Sequence, residues 1–324
     1  MGAFVLRRLA VSVPLLLATS LLVFGLVTVA GDPLADLRSQ DDVAPEVIEA
    51  RRHALNLDEP VVARYWTWLS GVVRGDFGLS LGGRDVRSLL WERLQVTLRM
   101  VLAATLLALL FGVALGVVGA VRQNSAFDRV SRVVMYLLLA LPAFWVAGLL
   151  KSYLAIRLNR LFGHQVVFTV GEADPNLTGS LSERLANYGG HLLLPTIALV
   201  LGPIAVWSRY LRASMLEVLS ADYLRAARAK GVPESAVVLR HALRNALVPL
   251  TTLVALHFGH LLAGAVIVER VFSWQGMGQM LISGVTTGDA NVVMAWLLVT
   301  ATSVIIFNLL ADVAYSWLDP RVRT

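Results

Sequence analysis

Apolar residues in this chain fall into long, nearly uninterrupted runs, at about 9–30, 96–121, 130–150, 190–210, 246–268 and 290–315. Each run reaches the roughly 20 residues that a helix needs to cross a bilayer core. Backbone N–H and C=O groups in lipid must be satisfied within the segment, so runs of this length predict helices rather than strands. The pattern predicts an all-α polytopic membrane protein with six transmembrane helices. Between the first two runs lies a polar segment, 31–93, rich in acidic residues. Within it 47–57 and 61–73 read as short helices separated by Pro60, and Gly75, Gly78, Gly82 and Gly83 mark turns. This segment predicts a small folded extracytoplasmic element without a catalytic domain. The first run exceeds the 7–15 residues of a signal-peptide core, so it reads as an uncleaved anchor.

Composition sharpens the class. The 324 residues are 57% hydrophobic and contain no cysteine. The mean hydropathy is +0.69. Disulfides, thiolate nucleophiles and cysteine zinc sites are excluded. The net charge of +6 is carried mostly by arginine, because Lys151 and Lys230 are the only lysines. Those arginines cluster beside the apolar runs, a topology signal rather than a nucleic-acid groove. Arg7 and Arg8, then Arg122, Arg129 and Arg132, then Arg209 through Arg244, and finally Arg321 and Arg323 fall on one side of a six-span arrangement. The short loop 269–289 on the other side carries only Arg270. Short basic loops stay inside, so both termini are expected in the cytoplasm.

The loop 221–249 is basic, helix-forming and held between two spans. Asp222 is placed to cap a helix over 223–230, stopped by Gly231 and Pro233. Tyr223, Ala226, Ala227 and Lys230 then share one face, a narrow ridge that a partner's groove could approach closely. Pro233 opens a second helical stretch carrying Arg240, His241 and Arg244. The residues alone leave open whether this loop docks a protein or holds anionic lipid.

Here a family resemblance enters. Arg225-Ala226-Ala227, three residues, then Gly231 resembles the EAAxxxG coupling loop of ABC-importer permeases. Arg225 stands in place of the glutamate, and Leu243-Arg244 in place of Leu-Pro. Both departures resemble the dipeptide/oligopeptide (peptide/nickel) branch. Further matches follow in order: Gly31-Asp32-Pro33, the 55–60 and 74–80 stretches, 269–278, and 308–312 through 318–321. The N-terminal extension resembles the first of that branch's two permease subunits. The resemblance implies a type I ABC-importer permease fold. Residues 1–93 would form an N-terminal helix plus an extracytoplasmic segment, and 94–324 a permease domain with its coupling loop at 211–245. It implies import of dipeptides or oligopeptides across a bacterial cytoplasmic membrane, with haem or nickel as alternative cargo. The implied partners are a second permease, two ATPases, an extracytoplasmic solute-binding protein and membrane lipid, with no nucleic acid. The ATPase-coupling residues would be Tyr223, Arg225, Ala226, Ala227, Lys230 and Gly231.

Neither lysine follows a glycine-rich phosphate-cradling turn, so no P-loop is present. The chain is therefore expected to be no enzyme and to hold no cofactor, with ATP and Mg bound by partner ATPases. His257 and His260 sit three apart in the fifth run, without a mid-span carboxylate to complete a metal site. They read as cavity-facing histidines rather than ligands. Phe272 and Trp274, between glycines on the outer loop, are candidates for contact with a docked binding protein, or for an interfacial aromatic belt. The competing classes are a stand-alone secondary transporter, which would need intramembrane coupling acids, and a membrane-embedded enzyme.

Overall fold

In the computed structural model, residues 2–30, 34, 38, 44–54 and 56–318 are described. Among them all regular structure is helical, apart from one isolated bridge between Leu79 and Asp85. The helices are α1 (Gly2–Ala30), α2 (Pro45–Ala54), α3 (Val61–Val73), α4 (Val86–Val121), α5 (Ala126–Ala140), α6 (Ala143–Leu149), α7 (Ala155–Phe162) and α8 (Leu181–Leu219). They continue as α9 (Asp222–Ala229), α10 (Glu234–Ala236), α11 (Leu243–Ala246), α12 (Val248–Gly264), α13 (Val266–Val271), α14 (Met277–Thr286) and α15 (Ala290–Leu318). Two π-helical segments, Leu150–Leu154 and Val237–Ala242, join α6 to α7 and α10 to α11.

Four described helices are long and apolar enough to span a membrane by themselves: α1, α4, α8 and α15. The run expected at 130–150 is bent by 98° between α5 and the helix that follows. The cause is Pro142, which cannot donate to the helical ladder and pushes Leu141 into extended backbone (φ −85°, ψ 122°). The run expected at 246–268 is likewise divided, into α12 and α13, with Ala265 at the junction. Among the described residues, four helices, or five if the bent pair is one span, are long and apolar enough to cross a membrane.

The chain forms two compact units, and α4 and α15 contribute residues to both. The first comprises residues 1–97 and 275–302. Here α3 lies on α1 through Phe24, Tyr65 and Trp68, with Met294 in the same cluster. The Phe24 and Tyr65 rings meet edge to face at 5.5 Å. The Ser20 hydroxyl is fully buried and shares a 2.8 Å hydrogen bond with the Tyr65 hydroxyl. A second cluster packs Val86 and Leu90 against Met277, Met280, Val292 and Ala295. Thr97 fixes the start of α14 there, its Oγ1 accepting the Met277 N–H at 2.8 Å.

The second unit comprises 98–274 and 303–324. Within it α8 packs on α5, and α4 also approaches α8. Gly112, Gly116 and Gly119 recur on α4, and a Cβ at each would meet α8 or its side chains. At Gly116 that atom would lie 2.9 Å from the Leu211 Cβ and 3.0 Å from the Ser208 carbonyl oxygen. This is a small-residue seam that lets two membrane helices approach backbone to backbone. Trp207, Leu211 and Met215 of α8 are fully buried. The helix begins in a capping box, Ser180 with Glu183, and tolerates Pro195 and Pro203 inside its 39 residues.

Candidate functional site

The loop singled out by the sequence folds around a short helix, α9. Its entry differs from expectation. Ala221, not Asp222, is the N-cap, in extended backbone (φ −70°, ψ 145°) and without a side-chain cap bond. Asp222 occupies the first helical position, and its carboxylate instead takes the Arg225 guanidinium one turn later. Acid at a helix start complements the backbone dipole in either role. The residue that departs from the EAA pattern, Arg225, is thereby matched by an exposed carboxylate on the same helix.

The exit follows expectation closely. Gly231 has φ +77°, the left-handed conformation that only glycine adopts without cost. Its N–H donates to the Arg228 carbonyl at 3.0 Å, and the Val232 N–H reaches back to the Ala227 carbonyl at 3.3 Å. Together these bonds make a Schellman-type helix end. A Cβ at Gly231 would meet no atom within 4 Å, so the backbone angle, not crowding within this chain, requires the glycine.

Leu224 points inward and is fully buried, which seats α9 on the π segment Val237–Ala242. Opposite it, Tyr223, Arg225, Ala226 and Lys230 are exposed, while Ala227 is half-buried at the edge of the ridge. The ridge is tied down at both ends. The Asn245 amide donates to the Tyr223 hydroxyl at 2.7 Å. Arg228 donates two bonds to the Glu234 carboxylate, at 3.0 and 2.9 Å. That pairing holds the Glu234 carboxyl below the usual glutamate range and raises the Arg228 guanidinium. Arg240, His241 and Arg244 lie exposed on the following segment. The surface is thus small, apolar at its centre and ringed by cations, two of which are already matched by acids within the loop.

A feature that sequence reading missed lies where α8 approaches this loop. Asp128, in the first turn of α5, is fully buried and receives a forked pair of bonds from Arg212 of α8. Arg212 Nε donates to Oδ1 at 2.6 Å and Nη2 to Oδ2 at 2.8 Å. The Asn124 N–H donates to Oδ2 at 3.0 Å, and Arg132 lies 3.6 Å away. Such a pair is costly to break from one side, about 3–5 kcal/mol when one partner is removed. The available signal was an acid three residues after Ser125 in a short basic turn.

The remaining candidates come out differently. Phe272 and Trp274 are each 1% exposed, so they are core residues of the second unit and not a docking surface. The turn around them is closed by the Gly171 N–H, which donates to the Phe272 carbonyl at 2.9 Å, and by the Trp274 N–H, which donates to the Glu269 carbonyl. His257 accepts the Trp207 indole N–H on Nδ1 at 2.8 Å. That bond joins α12 to α8. The His260 side chain lies outside the described residues.

These features define a multi-pass helical membrane protein that displays a short, capped, cation-ringed helix between two apolar segments. The chain belongs to the binding-protein-dependent transport system inner membrane component family, whose sequence model matches residues 86–324. The companion N-terminal model of the same membrane components matches residues 1–88. Over 324 residues it is 40% identical to the oligopeptide transport system permease protein OppB of Mycobacterium tuberculosis, covering 100% of this chain and 99% of that protein. Over 322 residues it is 37% identical to the glutathione transport system permease protein GsiC of Escherichia coli, covering 99% and 98%. Among solved structures, the inward-facing methionine ABC transporter MetNI is similar, with a TM-score of 0.55 and 16% identity. That match covers 71% of this chain and 96% of the other, and it is a likeness of fold.

Proposed function

We propose that this chain is the first-type permease subunit of an ATP-driven importer of peptides, dipeptides or oligopeptides. It works with a second permease, two ATPases and an extracytoplasmic solute-binding protein. The ATPases bind and hydrolyse ATP with Mg, and this chain does no bond chemistry. Both termini and the α9 loop lie in the cytoplasm, the side to which the arginine distribution assigns them. The observation that carries the reading is the end-to-end similarity to peptide and glutathione permeases, joined to a ridge suited to a partner's cleft.

Tyr223, Arg225, Ala226, Ala227, Lys230 and Gly231 form the surface that the ATPase grips. Leu224 buries the opposite face, so a push on the ridge is delivered to the π segment and to α8 rather than lost in loop motion. ATP-driven closure of the two ATPases moves α9 and switches a central cavity between inward- and outward-facing forms. Half of that cavity's lining belongs to the second permease.

The test is reconstitution. The complete complex in proteoliposomes should take up peptide only with ATP inside and binding protein outside, and this chain alone should transport nothing. Uptake by the isolated chain driven by a proton gradient would overturn the reading. Peptide binding to the partner solute-binding protein, against haem and nickel ions as competitors, identifies the cargo.

A further inference from the structure

We infer that Arg212 and Asp128 form a positioning link that carries the movement of α9 into the α4–α5 hairpin. The inference rests on the coupling role proposed for α9. The geometry supplies each connection. Arg212 lies seven residues before the end of α8, and only Ser220 and Ala221 separate α8 from α9. Two helical turns of uninterrupted backbone transmit a displacement without absorbing it. At the other end of the link, Asp128 closes the turn between α4 and α5. Its own N–H donates to the Ser125 hydroxyl at 3.2 Å, and its Oδ2 accepts the Asn124 N–H, where Asn124 has φ +63°.

The link is directional. A guanidinium fork on a carboxylate fixes distance and orientation, which a lone ammonium or an apolar pair does not. Gly119 of α4 lies against it: a Cβ there would touch the Arg212 Cδ at 3.4 Å and the Asp128 Oδ1 at 3.5 Å, ordinary packing distances. The glycine seam continues from this point along α4 against Ser208 and Leu211. Thus α4, α5 and the last third of α8 share one fastening, two helical turns along the chain from the helix that carries the proposed ATPase surface. Complete burial of Asp128 keeps water from competing for the bonds.

Stability alone would not call for a fork at this place, since well-packed apolar pairs replace buried ion pairs at little or no cost. A positioning role and a merely structural one therefore diverge in a double substitution. The experiment compares Asp128→Asn, Arg212→Lys and the apolar double variant Asp128→Leu/Arg212→Met in the full importer complex in proteoliposomes. ATP hydrolysis and peptide uptake are measured together. The assembled variants should hydrolyse ATP near the wild-type basal rate while peptide moved per ATP falls about tenfold. The double variant should recover assembly and thermal stability but not the transport ratio. A wild-type transport ratio in assembled Asp128→Asn or Arg212→Lys would overturn the inference, as would a double variant that recovers both properties. Failure of all three to assemble would also overturn it, by making the pair a folding element only. The wild-type complex run alongside tests the parent reading separately, because ATP-independent uptake there would sink that reading whatever the variants do.

Discussion

Gly231 offers a perturbation whose size follows from the backbone. At φ +77° an alanine there pays the left-handed penalty of about 1–2 kcal/mol. Nothing lies within 4 Å of the added Cβ, so no clash inside this chain enlarges that cost. With eight residues, α9 is too short to persist without its cap and its buried anchor, Leu224. One to two kcal/mol shifts the ratio of capped to frayed ends by a factor of about 5–30. The same factor is the ceiling on lost ATPase affinity if backbone conformation is the whole effect. Asparagine visits the left-handed region readily, so Gly231→Asn should recover most of the loss despite its larger side chain. The assay is binding of the purified ATPase to the permease pair in nanodiscs, with hydrogen exchange followed over residues 222–232. Gly231→Ala should speed exchange there and weaken binding, and Gly231→Asn should lie near wild type. If Gly231→Asn binds as poorly as Gly231→Ala, or if Gly231→Ala leaves exchange unchanged, the conformational argument fails.

Ala226→Glu puts a charge on the exposed centre of the ridge and should abolish ATPase association while leaving membrane insertion intact, read by co-purification. Asn245→Ala removes the 2.7 Å bond to the Tyr223 hydroxyl and should loosen the ridge by about 0.5–1.5 kcal/mol, seen as faster exchange at 222–226 with no loss of insertion. Gly116→Leu drives a side chain into the Leu211 Cβ and the Ser208 carbonyl, costing about 1–3 kcal/mol or more and lowering the melting temperature in detergent. The Arg228–Glu234 pair gives the loop a pH dependence of known sign. Glu234 is held below its usual value, so the stabilisation is full above the unfolded glutamate pKa of about 4.3 and is lost as pH falls through the lower folded value. Exchange protection at 228–236 should stay flat from neutral pH down to about 5 and decline only in more acid solution, whereas a decline beginning at neutral pH would contradict it.

What the sequence disclosed depended on how local each determinant was. The helix end at Gly231 was readable because a glycine before a Pro two residues on has few other uses. The start was misassigned by one role, because the Asp222 carboxylate had two possible donors, its own helix N–H groups and Arg225. Both the expected element at 61–73 and α3 begin after Pro60, a residue that limits where a helix can start. Pro142 stood in plain view inside the third run, yet run length outweighed it, and the 98° bend followed from the proline. Phe272 and Trp274 looked exposed because turn residues flank them. The Phe272 backbone has a partner about a hundred residues away, at Gly171, which no local pattern announces. Asp128 and Arg212 are 84 residues apart, and each alone resembles an ordinary charge beside a membrane span.

The glycine seam between α4 and α8 bears on how the protein responds to a change of solvent. Helices in a bilayer gain little by hiding apolar side chains from one another, since lipid tails are as apolar as leucine. A contact made by backbone proximity at Gly112 and Gly116 depends on shape and dispersion more than on the surrounding solvent. Contacts that lean on lateral pressure or on the headgroup region have no such independence. As lipid is stripped away, α4 and α8 should remain together longest.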